Sequence, residues 1–280
     1  VNDAAGILKL GDVYLEWGTE KDSSKLELAR EQYATLIQLY GSNDLYESRM
    51  MRYFIRTDNL RQVIGLQKRF EPKEKSLSSE DWTELSGYLL DKSYGPISPA
   101  EEYLRYQIEG LRGLLLRAVK TDKTNPIALY NLGRYYVLTD ETTAIEPTLA
   151  RTIDTFNEAK SLRKRDIYKY IDSYRLLGEH YISTSDYLKA QEQLAEGISL
   201  YTTERDNAGF EGTPKIGKLY EDLANLKYFV SGEYEEALNN YKSSIELDND
   251  NASIRYKIGF IQYKKSNYAE ALGSFMKAGD

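Results

Sequence analysis

No cysteine occurs anywhere in the 280 residues, so disulfides, thiol catalysis and thiolate metal ligands are excluded. Histidine occurs once, at His180, which rules out a multi-histidine metal site and any relay that needs a second imidazole. Neither a G-x-S-x-G elbow, nor a P-loop, nor a dinucleotide fingerprint accompanies it. No metal or other cofactor is therefore expected. Long apolar runs are missing as well. Nothing approaches the roughly 18 residues of a membrane span, so a soluble chain without an integral membrane segment is expected. Excess positive charge is also lacking: 37 Lys and Arg stand against 44 Asp and Glu, a net charge of −7. That balance argues against a nucleic-acid partner. The chain opens Val1-Asn2-Asp3, without an initiator Met or a signal-peptide pattern, and so reads as an internal piece of a longer chain or a processed product. Cytoplasm and periplasm are both compatible with zero cysteine, so the compartment stays open.

What is present is periodic. Tyr228, Tyr234, Ala237, Tyr241 and Ser244 return 34 positions later as Gln262, Tyr268, Ala271, Phe275 and Ala278, and four of the five pairs keep size and shape. A repeat of this length points to stacked helix pairs, each unable to bury its apolar face alone. Traced backwards, the pattern is an apolar residue, a small one, and an aromatic three further on. Leu10-Gly11 with Tyr14, Leu132-Gly133 with Tyr136, and Leu177-Gly178 with Tyr181 all fit. These positions share one helical face, where the small residue lets a partner helix approach. A second helix carries a small residue and, four later, a ring, as in Ala29 with Tyr33 and Ala237 with Tyr241.

This arrangement resembles the tetratricopeptide repeat, with its W-x2-L-G-x2-Y and A-x3-F signature. The run from Asn125 to Tyr136 is similar to a first helix of that family, and Trp82-Thr83-Glu84-Leu85-Ser86 with Leu89 is similar to its Trp-containing form. The resemblance implies an all-α, right-handed superhelical solenoid of about seven helix-turn-helix repeats spanning residues 1–280. Units are placed near Ala4, Asn43, Ser79, Pro126, Ile171, Lys218 and Ala252. The second is degenerate, with Arg49 and Met50 where Leu and a small residue are expected. Insertions are read at Thr19–Ser24, Tyr94–Pro99, Asp140–Pro147 and Thr203–Thr213.

The prolines add boundaries. Asn125, Ser98 and Thr213 precede Pro126, Pro99 and Pro214 as N-cap followed by a first-turn proline. Pro147 is placed at a helix start, and a long helix is expected from about Pro99 to Lys120. Most of the 25 tyrosines, among them Tyr14, Tyr33, Tyr136, Tyr181, Tyr187, Tyr228, Tyr234, Tyr241 and Tyr268, are assigned to inter-helix packing. His180 is read as a solvated or groove-rim residue. Glu101-Glu102 and Glu235-Glu236 are read as first-turn charges, and Arg163-Lys164-Arg165 as cations closing a helix C-terminus.

With catalysis unsupported, a non-enzymatic adaptor or assembly scaffold is the reading, its partner a protein or peptide laid in the concave groove. By resemblance, ligand contacts fall three before, one after and four after the small-residue site. Those positions are Tyr130, Arg134 and Val137; Arg175, Glu179 and Ile182; Asp222, Leu226 and Phe229; and Tyr256, Phe260 and Tyr263. Arg134 and Arg175 are expected to meet acidic groups, and Leu226, Phe229, Tyr256 and Phe260 to act as apolar anchors. A complete clamp for the acidic tails of chaperones is not visible. Two alternatives are a regulatory or targeting segment of a larger enzyme, and a structural part of a bacterial cell-envelope or motility assembly. The apolar C-terminal groove fits either a partner site or a surface exposed by truncation. The oligomeric state is left open.

Overall fold

The computed structural model describes residues 3–72, 77–159 and 162–279. Within them lie fifteen α-helices and no strand. The chain divides into two compact units, residues 1–138 and 139–280. The first holds α1 (Ala4–Glu20), α2 (Lys25–Tyr40), α3 (Asp44–Arg56), α4 (Leu60–Phe70), α5 (Ser79–Tyr94), the single turn α6 (Glu102–Arg105), α7 (Leu111–Thr121) and α8 (Pro126–Leu138). The second holds α9 (Thr142–Glu158), α10 (Lys164–Ser183), α11 (Tyr187–Ala208), α12 (Pro214–Leu226), α13 (Tyr234–Glu246), α14 (Ala252–Lys264) and α15 (Tyr268–Gly279). Inside each unit the wiring is that of a stacked array. Antiparallel partners pack as α1 with α2, α3 with α4, α5 with α7, α10 with α11, α12 with α13 and α14 with α15. Successive first helices also touch, as α3 with α5 and α10 with α12 do.

The small-residue sites explain this packing. A β-carbon at Gly11 would lie 2.5 Å from the Tyr33 ring, one at Gly178 2.7 Å from Leu194, and one at Gly259 2.8 Å from the Phe275 ring. In each case the residue met is on the second helix of the same pair. Ala29, Tyr33, Ala237 and Tyr241 are fully buried, as the pattern requires. In the three pairs of the second unit the turn is set by one left-handed residue seven positions beyond the small site: Ser185 after Gly178, Gly232 after Asn225, and Ser266 after Gly259. By the same count Asp58, at φ 56°, assigns the second pair's site to Met51, which is fully buried, and not to Met50. The phase of that pair is one residue later than the sequence pattern suggests.

Helices α10 and α12 begin before the unit starts placed at Ile171 and Lys218. α10 begins at Lys164 rather than near Ile171, because Ile167 and Tyr170 extend its buried face and Tyr170 stacks on Phe156 of α9 at 4.9 Å. α12 begins at Pro214, where Thr213 Oγ1 accepts from the Ile216 amide at 3.4 Å. Asn125 Oδ1 caps α8 in the same way, accepting from Ile127 N at 3.0 Å and Ala128 N at 3.2 Å.

Several expectations fail. No long helix spans Pro99 to Lys120; α6 is one turn, and Gly110, left-handed at φ 64°, starts α7 anew. Arg105 ties this excursion down, donating to the Ser93 carbonyl at 2.6 Å and the Gly95 carbonyl at 3.1 Å. It thereby satisfies acceptors around the end of α5 that have no intrahelical partner. Ser98 caps no helix; its hydroxyl donates to Glu101 at 3.0 Å. Pro147 lies inside α9 and not at its start, so Asp140–Pro147 is not a projecting loop. Ile145, Leu149, Ile153 and Phe156 form one buried face of α9, whose burial outweighs the roughly 3 kcal/mol that an internal proline costs. Thr203–Thr213 likewise shrinks, since α11 runs to Ala208 and Phe210 is buried against Tyr168 at 4.2 Å. Arg163 is the N-cap of α10 and not the close of a preceding helix, and it faces Asp166 at 3.6 Å.

Two glycines should therefore respond oppositely to one methyl group. Gly178→Ala pushes into Leu194 and is expected to lower stability by about 1–3 kcal/mol. Gly273→Ala meets nothing within 4 Å and should raise it by about 0.5–1 kcal/mol. Thermal melts of both variants check the pair of signs.

Candidate functional site

The first helices of the first unit are joined by charge. Arg49 pairs with Asp12 of α1 at 3.0 Å and Asp81 of α5 at 3.6 Å, Arg52 with Asp81 at 2.7 Å and Glu80 at 3.0 Å, and Arg56 with Glu84 at 2.8 Å. Their spacing along α3 puts all three arginines on the side facing α5. Arg49 thus bridges two helices, and with the phase one residue later the apolar position of the pattern falls on Met50. Burial opposes the charge on Arg52, yet Asp81, then Glu84 and Glu80, hold its pKa above the ordinary value. The ladder has a further tie in Tyr33, whose hydroxyl donates to Asp12 at 2.9 Å.

Of the expected groove residues, Tyr130, Arg134 and Val137 lie in this unit. Tyr130 is buried and Val137 half-buried. Arg134 lies over the Tyr130 ring at 5.5 Å and pairs with Asp91 at 2.8 Å. Its charge is already answered within the protein.

The remaining expected residues lie on α10, α12 and α14 in the second unit. Arg175 is clamped by Asp172 at 2.6 Å and Glu179 at 2.7 Å, both on its own helix. Burial pulls against its charge, but those two carboxylates keep its pKa raised. Ile182 is half-buried, and Leu226 is buried. Asp222 is buried too: Oδ1 receives Lys218 Nζ at 2.8 Å, while Oδ2 is enclosed without a hydrogen-bond partner. Burial pushes the Asp222 carboxyl up to about 6, against the pull of Lys218, with Glu179 and Glu221 adding to the rise.

The outer part of this face is aromatic. Phe229, Tyr256 and Tyr263 are 68%, 58% and 57% exposed, and half-buried Phe260 meets Tyr228 edge-on at 6.3 Å. Phe229 and Val230 are carried out by a π-helical turn, Lys227–Ser231, that prolongs α12. Asn225 takes the small-residue position of this pair and turns it polar. Its Oδ1 accepts from the Tyr241 hydroxyl and from Lys257 Nζ, each at 2.8 Å. Lys257 also lies 5.6 Å over the Phe229 ring, and burial lowers its pKa. Lys257, Lys218 and the π turn were missed in the sequence. The three-position rule skips the site two before the small residue, and no residue pattern marks a π turn.

His180 is 8% exposed, so the solvated reading is corrected: the sole imidazole is buried and packs beside Tyr181 at 5.8 Å. The tyrosines divide. Tyr33, Tyr136, Tyr181 and Tyr241 are buried packing rings, whereas Tyr187, Tyr234 and Tyr268, each opening a second helix, are exposed. Among the described residues no group of three or more His, Asp or Glu is placed to hold a metal ion. No helix among them is long and apolar enough to cross a membrane.

Residues 226–266, the π turn through the body of α14, match a family model described as TPR repeat. Solved TPR structures repeat the same helix-pair architecture. The chain carries a tetratricopeptide repeat at residues 226–266 and shares the fold of solved tetratricopeptide-repeat proteins. A TPR protein from Parabacteroides merdae ATCC 43184 superposes with a TM-score of 0.53 at 15% identity, over 98% of this chain and 93% of that one. The apo form of RapI gives 0.63 at 14% identity, over 96% of this chain and 75% of that one. A Rap protein complexed with Competence and Sporulation Factor gives 0.53 at 14% identity, covering 99% and 77%. At these identities the likeness is one of fold. No curated protein sequence matches this chain.

Two substitutions test the electrostatics. Arg52→Ala leaves buried Asp81 and its neighbours without their cation, and is expected to cost about 3–5 kcal/mol in a denaturant titration. Asp222 behaves in the opposite sense. Its folded pKa, about 6, lies above an ordinary 3.8, so the native state binds the extra proton between those values. Its contribution favours folding at low pH and is lost as pH rises through 6, by on the order of 2–3 kcal/mol. Asp222→Asn should therefore melt higher than wild type at pH 8, with the gap shrinking toward pH 5; a gap independent of pH would contradict the assignment.

Proposed function

We propose that this protein is a non-enzymatic interaction scaffold of the tetratricopeptide-repeat kind, and that the face made by α10, α12 and α14 holds a segment of a protein partner. The observation that carries the reading is the set of exposed rings Phe229, Tyr256 and Tyr263, gathered on first helices beside a charged centre. Large apolar groups left in water on one face mark interaction sites, and aromatic anchors dominate binding energy in such interfaces. An extended or helical peptide would place apolar side chains on those rings and half-buried Phe260. Support by analogy of fold comes from the Rap structure, which contains Competence and Sporulation Factor. Arg134 and Arg175 have a smaller part in this account than their positions suggest, since Asp91, Asp172 and Glu179 already pair with them.

The test is selection of displayed random dodecapeptides on the full chain, followed by anisotropy titration of the recovered sequences. Phe229→Ala with Tyr256→Ala should weaken binding at least tenfold, about 1.4 kcal/mol, without changing the melting temperature. Leu272→Ala with Met276→Ala, exposed on the second helix α15, should leave affinity within twofold. The reverse pattern would move the site off the first-helix face.

A further inference from the structure

The charged centre of this face says which partner it accepts, an inference that rests on the reading of α10, α12 and α14 as a binding surface. Seven ionisable groups meet there: Asp172, Arg175 and Glu179 from α10, Lys218, Glu221 and Asp222 from α12, and Lys257 from α14. Four carboxylates against three cations leave a net charge of −1. Each cation is engaged: Arg175 by two carboxylates, Lys218 by Glu221 at 3.3 Å and Asp222 at 2.8 Å, and Lys257 by Asn225 and the Phe229 ring. An incoming carboxylate would have to take one of them from a partner. The acceptors are not all engaged. Asp222, its side chain 8% exposed, keeps Oδ2 buried with no donor. A buried carboxylate oxygen without a donor is costly, and a cationic donor is its strongest partner.

Lys218, which covers Asp222, has a side chain 41% exposed, against 15% for Arg175. Phe229 and Tyr256, on α12 and α14, offer ring faces for the aliphatic stem of a basic residue and for its apolar neighbours. We infer that this face selects a basic, apolar segment: an arginine or lysine of the partner donates to Asp222 Oδ2 beside Glu179, and adjoining apolar side chains lie on Phe229 and Tyr256. The partner's cation takes the place of Lys218 on the carboxylate, and Lys218 turns out to water. This reverses the polarity expected of Arg134 and Arg175 as receivers of acidic groups.

The probes are two fluorescein-labelled decapeptides, one alternating Arg and Leu, the other Glu and Leu, titrated into the full chain at pH 7.5 and physiological salt. The Arg–Leu peptide should bind at least tenfold tighter than the Glu–Leu peptide. Asp222→Asn, which keeps the shape of the side chain, should erase most of that difference. Glu31→Gln, which removes one negative charge from exposed α2, should change it less than twofold, and so separates a local contact from attraction to net charge. Melting curves show that each variant is folded. Equal affinity for the two peptides, no binding of the Arg–Leu peptide, or an Arg–Leu affinity indifferent to Asp222→Asn would overturn the proposal. If both peptides bind equally and both are lost in Phe229→Ala with Tyr256→Ala, the surface stands and only its charge preference fails.

Discussion

Close approach of paired helices at one small residue is the constraint from which the rest of the structure follows. Gly11 under Tyr33, Gly178 under Leu194 and Gly259 under Phe275 leave no room for a methyl group. They fix the register of first helix on second. Once that register is set, a left-handed residue seven positions on closes the turn in each pair of the second unit, and the opposite side of each first helix is left for neighbouring first helices or for solvent. Where the small residue becomes Asn225, the contact is kept by a hydrogen bond to Tyr241, and the site acquires a polar group that also holds Lys257. Packing and surface chemistry therefore meet at one residue in the pair where the functional face is built.

Charge is used differently in the two units. On α3 the arginines are structural, each bridging to α5, and the Arg52–Asp81 pair is buried between the two helices. Such pairs specify which helices meet more than they add net stability. On α10 and α12 the pairs lie within single helices, Arg175 with Asp172 and Glu179, and Lys218 with Glu221 and Asp222. They do not tie helix to helix, and they leave one buried acceptor oxygen without a donor. The same residue types thus build a scaffold in one unit and a receptive surface in the other.

Helix content and pair boundaries were legible because they rest on local signals: the small-residue spacing, the Ala-to-ring spacing, and capping at Asn125 and Thr213. Errors arose where tertiary contacts override local ones. Proline inside α9 is tolerated because one face of that helix is buried throughout. The expected helix over Pro99–Lys120 gives way to α6 and a left-handed Gly110, with Arg105 holding backbone carbonyls that no local pattern anticipates. The phase of α3 slipped by one because Met51, not a small residue, occupies the contact. At the candidate site, position on the helix was readable but exposure was not. The clamp on Arg175 is written in the spacing of Asp172 and Glu179 three before and four after it, a signal the groove rule passes over, whereas nothing in the order of residues tells that Leu226 is buried or that a π turn lifts Phe229 into solvent.

The central claim is that the first-helix face of the second unit is where a partner sits. Hydrogen–deuterium exchange of the full chain, with and without a selected peptide at saturation, tests it most directly, because amides report the contacted elements without any mutation. The account predicts added protection in α12 through the π turn at Lys227–Ser231, in α14, and in the α10 segment around Arg175 and Glu179, with α11, α13 and α15 unchanged. Protection confined to the second helices α13 and α15, or to the first unit, would contradict it.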